Sequence, residues 1–441
     1  MLLIKNGTII DPAAGTMQKG DILAAGGKII SIEDAITPED AAAAASAAGA
    51  DATEALTVID AAGLCVAPGL IDTHVHFRDP GFPAKETIET GARAAKRGGF
   101  TTVIMMANTN PSIDSVEVLQ DVLQRGQATG IHVLSCCNVT KEMHGKELTD
   151  MEALAAAGAA GFTDDGIPVL DGELLEKALV KAAALDLPVS LHEEDPAYIT
   201  NPGVTSGGPA AAFLGLTGAS PEAEITMIRR DVEIALRTGA SLCIQHISTA
   251  EGVELVRDAQ RRAAGTGARI HAEATPHHFS LTEQAVIEKG TLARVNPPIR
   301  TERDRLAIIE GLRDGTIDLI ATDHAPHTEE EKARPFSKAP SGMIGLETSL
   351  GLGIRELVQK GYLTLPELIR KMTLNPAQVY HLPAGRMEKG SPADLVLFSP
   401  EETWTVRTPF ASKASNSPFI GEELPGAIHY TIASGEVVYS V

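Results

Sequence analysis

Eight short apolar runs, each closing on a polar or charged residue and each followed by a stretch of helical periodicity, restrict the fold of this 441-residue chain more than any other feature. The runs end near His76, Asn108, Asn138, Asp165, His192, His246, His277 and Asp323. Between them, Leu174, Leu175, Ala178, Leu179 and Ala182 fall on one helical face, as do Ile225, Ile228, Val232, Ala235 and Leu236 before a stop at Gly239. Strands that alternate with helices pair in parallel. Eight such units predict an α/β fold of the (β/α)8 TIM-barrel type, in which catalytic groups gather at the C-terminal strand ends. An open doubly wound sheet is the competing arrangement, but it does not explain why histidines and acids finish so many runs.

The two ends of the chain read differently. Hairpin-like pieces occur at Leu2–Ile10 and Asp21–Ile32, the latter broken by Gly26-Gly27, and again at Ala393–Phe398, Trp404–Val406 and Ala427–Tyr439 with its Ser434-Gly435 turn. Neither end alone buries much. Residues 1–67 and 386–441 are therefore expected to combine into one small β-sandwich domain beside a barrel of residues 68–385. An alanine-rich insertion, residues 35–57, reads as helical or mobile and has no assigned role.

Charge narrows the partners. With 37 basic against 58 acidic residues the net charge is −21, which argues against nucleic acid or an anionic membrane. A negatively charged substrate must then be drawn in by local cations or a metal. The N-terminus lacks a basic, apolar leader and no stretch approaches the roughly 20 apolar residues of a membrane span, so a cytoplasmic protein is expected. Cys65, Cys136, Cys137 and Cys243 form no C-x-x-C pair and read as buried free thiols.

The polar run ends carry the chemistry. In Gly69-Leu-Ile-Asp-Thr-His-Val-His-Phe-Arg-Asp-Pro-Gly81, His74 and His76 lie two apart on a strand and present both imidazoles to one side, which is half a zinc site. Arg78 follows at the same spacing, a fixed cation for a carboxylate. Asp165, in the double acid before Gly166, could bridge two cations. His192 and His246 end consecutive runs, and Asp323 ends the eighth, beside the first once a barrel closes. An acid there could ligate a metal and hold a water in line for attack.

These motifs resemble those of the amidohydrolase superfamily, and within it the bacterial type I dihydroorotases. The resemblance runs nearly end to end and rests on His74-Val-His76-Phe-Arg78-Asp-Pro-Gly81, Phe162-Thr-Asp-Asp-Gly166, Gln245-His-Ile-Ser-Thr249, Thr275-Pro-His-His278, Asn296-Pro-Pro-Ile-Arg300 and Ala321-Thr-Asp-His-Ala-Pro-His327. It implies one zinc on His74, His76 and Asp323, and a second on His192 and His246, with Asp165 bridging where many relatives use a carboxylated lysine. It also implies substrate binding by His76, Arg78, Asn108, Asn296 and His327, and by backbone groups at Ser341 and Gly342. His277 and His278 are read as structural.

The implied reaction is reversible closure of N-carbamoyl-L-aspartate to L-dihydroorotate plus water in pyrimidine biosynthesis. Zinc-activated hydroxide would attack in the hydrolytic direction, with Asp323 as general acid and base. The partners implied are a small dicarboxylate, one or two Zn2+ ions, a second copy in a homodimer and, for some relatives, aspartate carbamoyltransferase. The alternatives are another cyclic-amide hydrolase (hydantoinase, dihydropyrimidinase or allantoinase) and an inactive barrel supporting the carbamoyltransferase. Two departures from the family pattern stand out: Met106-Ala-Asn-Thr109 lacks the usual proline, and Pro340-Ser-Gly342 has serine where phenylalanine is usual. The loop from Thr328 to Gly345 reads as a lid, and its Glu329–Lys332 charges as solvated.

Overall fold

The computed structural model describes residues 1–47, 49 and 55–441. Strands Leu70–Val75, Phe100–Met105 and His132–Ser135 pair in parallel, as do Val189–Leu191, Ser241–Ile244, Arg269–Ala274 and Leu319–Ile320. Phe162 joins the two sets by bridging Cys137 on one side and Val189 on the other, and Val75 bridges His324 to close the ring. The eight runs thus form a closed parallel barrel.

Two runs end in local structure that their apolar pattern does not suggest. The fourth strand is reduced to Phe162 because Asp164, buried just beyond it, caps the neighbouring loop. Its carboxylate accepts from the main-chain N–H groups of Val139 (2.9 Å) and Thr140 (3.2 Å) and from the Thr140 hydroxyl. The double acid therefore divides its labour, Asp164 capping a turn and Asp165 facing the barrel mouth. The seventh strand stops at Ala274, and His277 lies in the helix Pro276–Ser280, whose first position is the proline that suits a helix start. Asp72 secures the seam where the barrel closes, accepting from the N–H of Thr322 (3.1 Å), its hydroxyl (2.5 Å) and the N–H of His74 (3.1 Å).

Both chain ends enter one eight-stranded sheet. The N-terminal strand Cys65–Pro68 pairs antiparallel with the C-terminal strand Leu395–Thr405, so neither end makes the sheet alone. Alternation along these strands explains how the sheet serves two cores at once. Val66, Leu395 and Leu397 join Leu2, Ile4, Ile22 and Ile29 in an inner cluster. Their neighbours Cys65, Ala67, Val396 and Phe398 point the other way, into the barrel's own core. Between Leu395–Thr405 and Glu423–Ala433 the chain leaves the sheet and runs back over the barrel, where the N–H groups of Ala411 and Ser412 bond to Glu347 and that of Lys413 to Glu86.

The helical faces fall as the periodicity predicts. Leu175, Ala178, Leu179 and Ala182 are buried on Gly172–Leu185, with Leu174 half-buried, and Glu222–Thr238 ends at Gly239 with φ of 74°. Part of the alanine-rich insertion is helical, Pro38–Ala47, with Ala41 and Ala45 buried; its residues 48 and 50–54 lie outside those described. All four cysteines are free and buried. Among the described residues no helix is long and apolar enough to cross a membrane.

Candidate metal centre and active site

At the C-terminal mouth of the barrel the strand ends bring His74, His76, Asp165, His192, His246 and Asp323 together, all of them buried. Asp165 is at the middle. Its Oδ1 lies 3.6 Å from His74 Nε2, 3.7 Å from His192 Nδ1 and 3.7 Å from His246 Nε2, and its Oδ2 lies 3.3 Å from His76 Nε2. Asp323 Oδ1 lies 3.0 Å from His76 Nε2 and 3.6 Å from His74 Nε2. Two donor triads have their ligand atoms within 4.8 Å of one another: His74, His76 and Asp323, and His74, Asp165 and His246. His192 Nδ1 is 3.0 Å from His246 Nε2 and so adjoins the second triad. His74 thus stands between the two groups.

The donor set fits a metal. His74 Nε2 is buried without a hydrogen-bond partner and aims at two carboxylates, an arrangement that a cation held between the nitrogen and those oxygens would satisfy. Three of the four histidines have their outer nitrogen held by an oxygen, which fixes the tautomer that turns the other nitrogen inward. His74 Nδ1 lies 2.5 Å from Glu273 Oε1, His76 Nδ1 lies 3.0 Å from Asn108 Oδ1, and His192 Nε2 lies 3.1 Å from Glu194 Oε2. Electrostatics follow from this crowding. Burial works to raise the carboxyls of Asp165 and Asp323, but the surrounding imidazoles hold both below the usual carboxylate range. Burial works to lower His74, yet the charges of Glu273 and Asp165 lift it well above its ordinary value, while burial and Arg78 together depress His76.

Three of the nine non-glycine residues with positive φ among the described residues lie here. Arg78, His246 and Asp323 are non-glycine residues with φ of 60°, 30° and 48°. Such conformations cost on the order of 1 kcal/mol or more each and persist where the surroundings over-determine them.

Beside the donors lies a cavity of about 160 Å3, lined by His76, Arg78, Asn108, Asp165, Gly166, His192, His246, Asn296, Asp323, Ala325, Ser341 and Gly342. Arg78 supplies its positive charge, set against the net −21 of the chain. Asn108 bonds to the cluster itself, through His76 and through its amide N–H to Asp165 Oδ2 (3.3 Å). His327 borders the wall. Its Nε2 lies 2.8 Å from the Ser341 carbonyl and so carries the proton, leaving Nδ1 to accept from Lys85 Nζ at 3.3 Å. Burial, with Arg78, Lys85 and Lys332 nearby, pushes His327 down to about 2, so it is neutral. The serine of the Pro340-Ser-Gly342 departure is used: its hydroxyl donates to Asn296 Oδ1 at 3.1 Å and fixes that amide. Gly342, at φ of 132°, has no room for a side chain, since a Cβ would meet Ala325 Cβ at 2.7 Å.

The lid loop corrects one expectation. Its charge run is not simply solvated, because the short helix Glu329–Lys332 is folded against the site. Lys332 is buried and donates to the carbonyls of Pro340 (3.0 Å) and Gly342 (2.9 Å), and Glu331 pairs with Lys85 at 3.1 Å. Only Glu329 and Glu330 remain exposed. His278 is structural, held by the Thr275 hydroxyl (2.7 Å) and the Pro297 carbonyl (3.0 Å). A larger cavity of about 380 Å3, near Arg97 and Trp404, holds two matched pairs, Arg97 with Glu347 at 3.1 Å and His429 with Glu402 at 2.7 Å.

Sequence reasoning missed Glu273 and Glu194. Glu273 had a signal, an acid inside the apolar strand Arg269–Ala274, where a carboxylate must find donors to be buried. Glu194, in the acidic stretch after His192, had none that separates it from its neighbours.

Residues 63–252 match the dihydro-orotase-like family. The chain is 52% identical over 440 residues to the dihydroorotase of Clostridioides difficile (strain 630), covering all of both proteins. It is 49% identical over 440 residues to that of Clostridium acetobutylicum, covering all of this chain and 99% of the relative. The chain belongs to the dihydroorotase family. Among solved structures, the L-hydantoinase (dihydropyrimidinase) from Arthrobacter aurescens superposes with a TM-score of 0.85 at 24% identity, covering 100% of this chain and 96% of that one. The D-hydantoinase (dihydropyrimidinase) from Thermus sp. gives 0.82 at 24% identity, with the same coverage. At that identity the likeness is one of fold, which in this chain is a closed barrel beside one composite eight-stranded sheet.

Proposed function

We propose that this member of the dihydroorotase family catalyses the reversible hydrolysis of L-dihydroorotate to N-carbamoyl-L-aspartate, with zinc held by His74, His76, Asp165, His192, His246 and Asp323. The observation that carries the reading is Arg78, a carboxylate-binding cation in the wall of the same small cavity that the donor cluster lines. Bound there, zinc would supply Lewis-acid polarisation of the scissile carbonyl and acidify a water.

The chain's own residues do the rest. Arg78, with Asn108, receives the substrate carboxylate, His327 joining them once its Nε2–H turns from the Ser341 carbonyl, and Asn296, fixed by Ser341, meets the ring. Asp323 is kept in its basic form by His76 and its neighbours. It takes a proton from the attacking water as the new C–O bond forms, then delivers that proton to the ring nitrogen as the C–N bond breaks. Run backwards, the carbamoyl nitrogen attacks the side-chain carboxyl and water leaves.

No lysine lines the cavity among the described residues. That absence, with Asp165 in the bridging position, weighs against the hydantoinase reading. An inactive barrel would have little reason to keep six converging donors. On this reading the barrel of residues 68–385 carries the reaction, and the composite of 1–67 and 386–441 braces it.

The test is hydrolysis of L-dihydroorotate by the zinc-loaded protein, followed by the loss of its ultraviolet absorbance, with Asp323→Asn alongside. We expect turnover in the wild type and a fall of roughly 10²–10⁴-fold in the variant, the usual span of a general acid–base. A zinc-loaded wild type that leaves dihydroorotate intact would overturn the proposal.

A further inference from the structure

The cavity wall is held from outside the barrel. Asn416 lies in the crossing between strands Leu395–Thr405 and Glu423–Ala433, far in sequence from every residue assigned above, and is only 3% exposed. Its side-chain Oδ1 accepts from the main-chain N–H of His327 at 3.1 Å. Its Nδ2 donates to the carbonyls of Ala325 and Gly342, each at 3.1 Å. Its own carbonyl accepts from the N–H of Ile344 at 3.1 Å.

One residue therefore bonds two segments of the wall at once, that ending in His327 and that containing Gly342. The two are also tied directly, by the N–H of Ala325 to the Met343 carbonyl (2.9 Å), His327 Nε2 to the Ser341 carbonyl (2.8 Å) and the N–H of Gly345 to His324 Nδ1 (3.2 Å), but Asn416 alone bonds the His327 N–H and the Gly342 carbonyl through one side chain. The crossing is anchored in turn by Ser412 and Lys413, whose hydroxyl and N–H bond to the buried Glu86.

The geometry points to Asn416 as a positioning residue for substrate binding: its amide sets the spacing between His327 and the adjoining Ser341-Gly342 backbone on one side of the cavity. The chemistry requires an amide of this length. One acceptor and two donors are used together, in a buried place where any group left unpaired is costly. An aspartate keeps the acceptor but turns a second oxygen toward the Ala325 and Gly342 carbonyls, which repel it. An alanine removes all three side-chain bonds. The inference rests on the proposed reaction, and it makes the crossing a part of the active site rather than of the sheet.

The test compares wild type, Asn416→Ala and Asn416→Asp, zinc-loaded, for KM and kcat on L-dihydroorotate, zinc content, and amide exchange of the peptide spanning residues 341–345. We expect KM to rise about tenfold in both variants, since roughly 1.4 kcal/mol of misplacement is tenfold, with kcat within about threefold. Zinc content should be unchanged and exchange faster, and the aspartate should be no better than the alanine. A KM within about twofold of wild type, or a loss confined to kcat or to zinc content, would overturn the assignment. Should the alanine variant not fold, Asn416→Ser, which keeps a hydroxyl, carries the same test. A wild type inactive on dihydroorotate would sink the functional reading, whereas an active wild type with an unmoved variant KM would sink only this one.

Discussion

Glu273 offers the sharpest test of how the metal centre is built. Its carboxylate, 1% exposed, takes His74 Nδ1 at 2.5 Å, the N–H of His246 at 3.2 Å and the Thr73 hydroxyl at 3.3 Å. It thereby fixes two proposed zinc donors from behind, one through its ring and one through its backbone. Glu273→Gln keeps the volume and one acceptor but removes the charge. The difference between a charge-assisted and a neutral hydrogen bond is about 1 kcal/mol, or roughly fivefold in zinc affinity. Glu273→Ala also frees the His74 ring and leaves the His246 N–H without its acceptor. The loss of an outer-shell partner costs about 10–100-fold in metal affinity, or roughly 1.4–2.8 kcal/mol. The assay is competition for zinc against a chromophoric chelator, with bound zinc counted by mass spectrometry. The expected order is wild type, then glutamine, then alanine. A zinc Kd for the alanine variant within about twofold of wild type would refute the reasoning, because His74 would then need no support to donate.

Two further outcomes follow from packing and charge. Gly69→Ala, just before the first barrel strand, places a Cβ 2.1 Å from Thr101 Oγ1 and 2.3 Å from its Cγ2, so stability should fall by about 1–3 kcal/mol as read from the denaturation midpoint; an unmoved midpoint would mean that Thr101 can turn away freely. His132, half exposed and 3.0 Å from Asp394, has its pKa raised by that hydrogen bond against the effect of burial. A raised folded pKa stabilises below the unfolded value, about 6.5, and the gain is lost as pH climbs through the folded one, so His132→Gln should cost about 0.2–1 kcal/mol near pH 5.5 and almost nothing near pH 8.5. Equal losses at both values would exclude the ion pair as the cause.

Much of the barrel was legible because its signals are local. A strand two residues from its end presents alternate side chains to one side, so His74 and His76 had to face together wherever the strand lay. The apolar faces of Gly172–Leu185 and Glu222–Thr238 were legible for the same reason, through the helical period. The reading failed where a long-range bond competed with the local pattern. The fourth strand shrank to Phe162 because Asp164 caps a loop some 25 residues earlier in the chain, as its bond to Val139 shows. Lys332, read as solvated, is buried because the carbonyls of Pro340 and Gly342 replace its water.

The sequence by itself determined the number and direction of the strand–helix units, the amphipathic faces, the imidazole pair on the first strand and the need for local positive charge in an acidic chain. All of these follow from period, spacing and composition, which are properties of neighbouring residues. Only the tertiary structure decided that Asp165 sits at the middle of four histidines, that Glu273 supports two of them and that Asn416 ties the cavity wall. Those relations join residues tens to hundreds of positions apart, brought within hydrogen-bonding distance by closure of the barrel and by a crossing whose sequence carries no period. A buried polar atom must find a partner, but which one is settled only when the chain has closed.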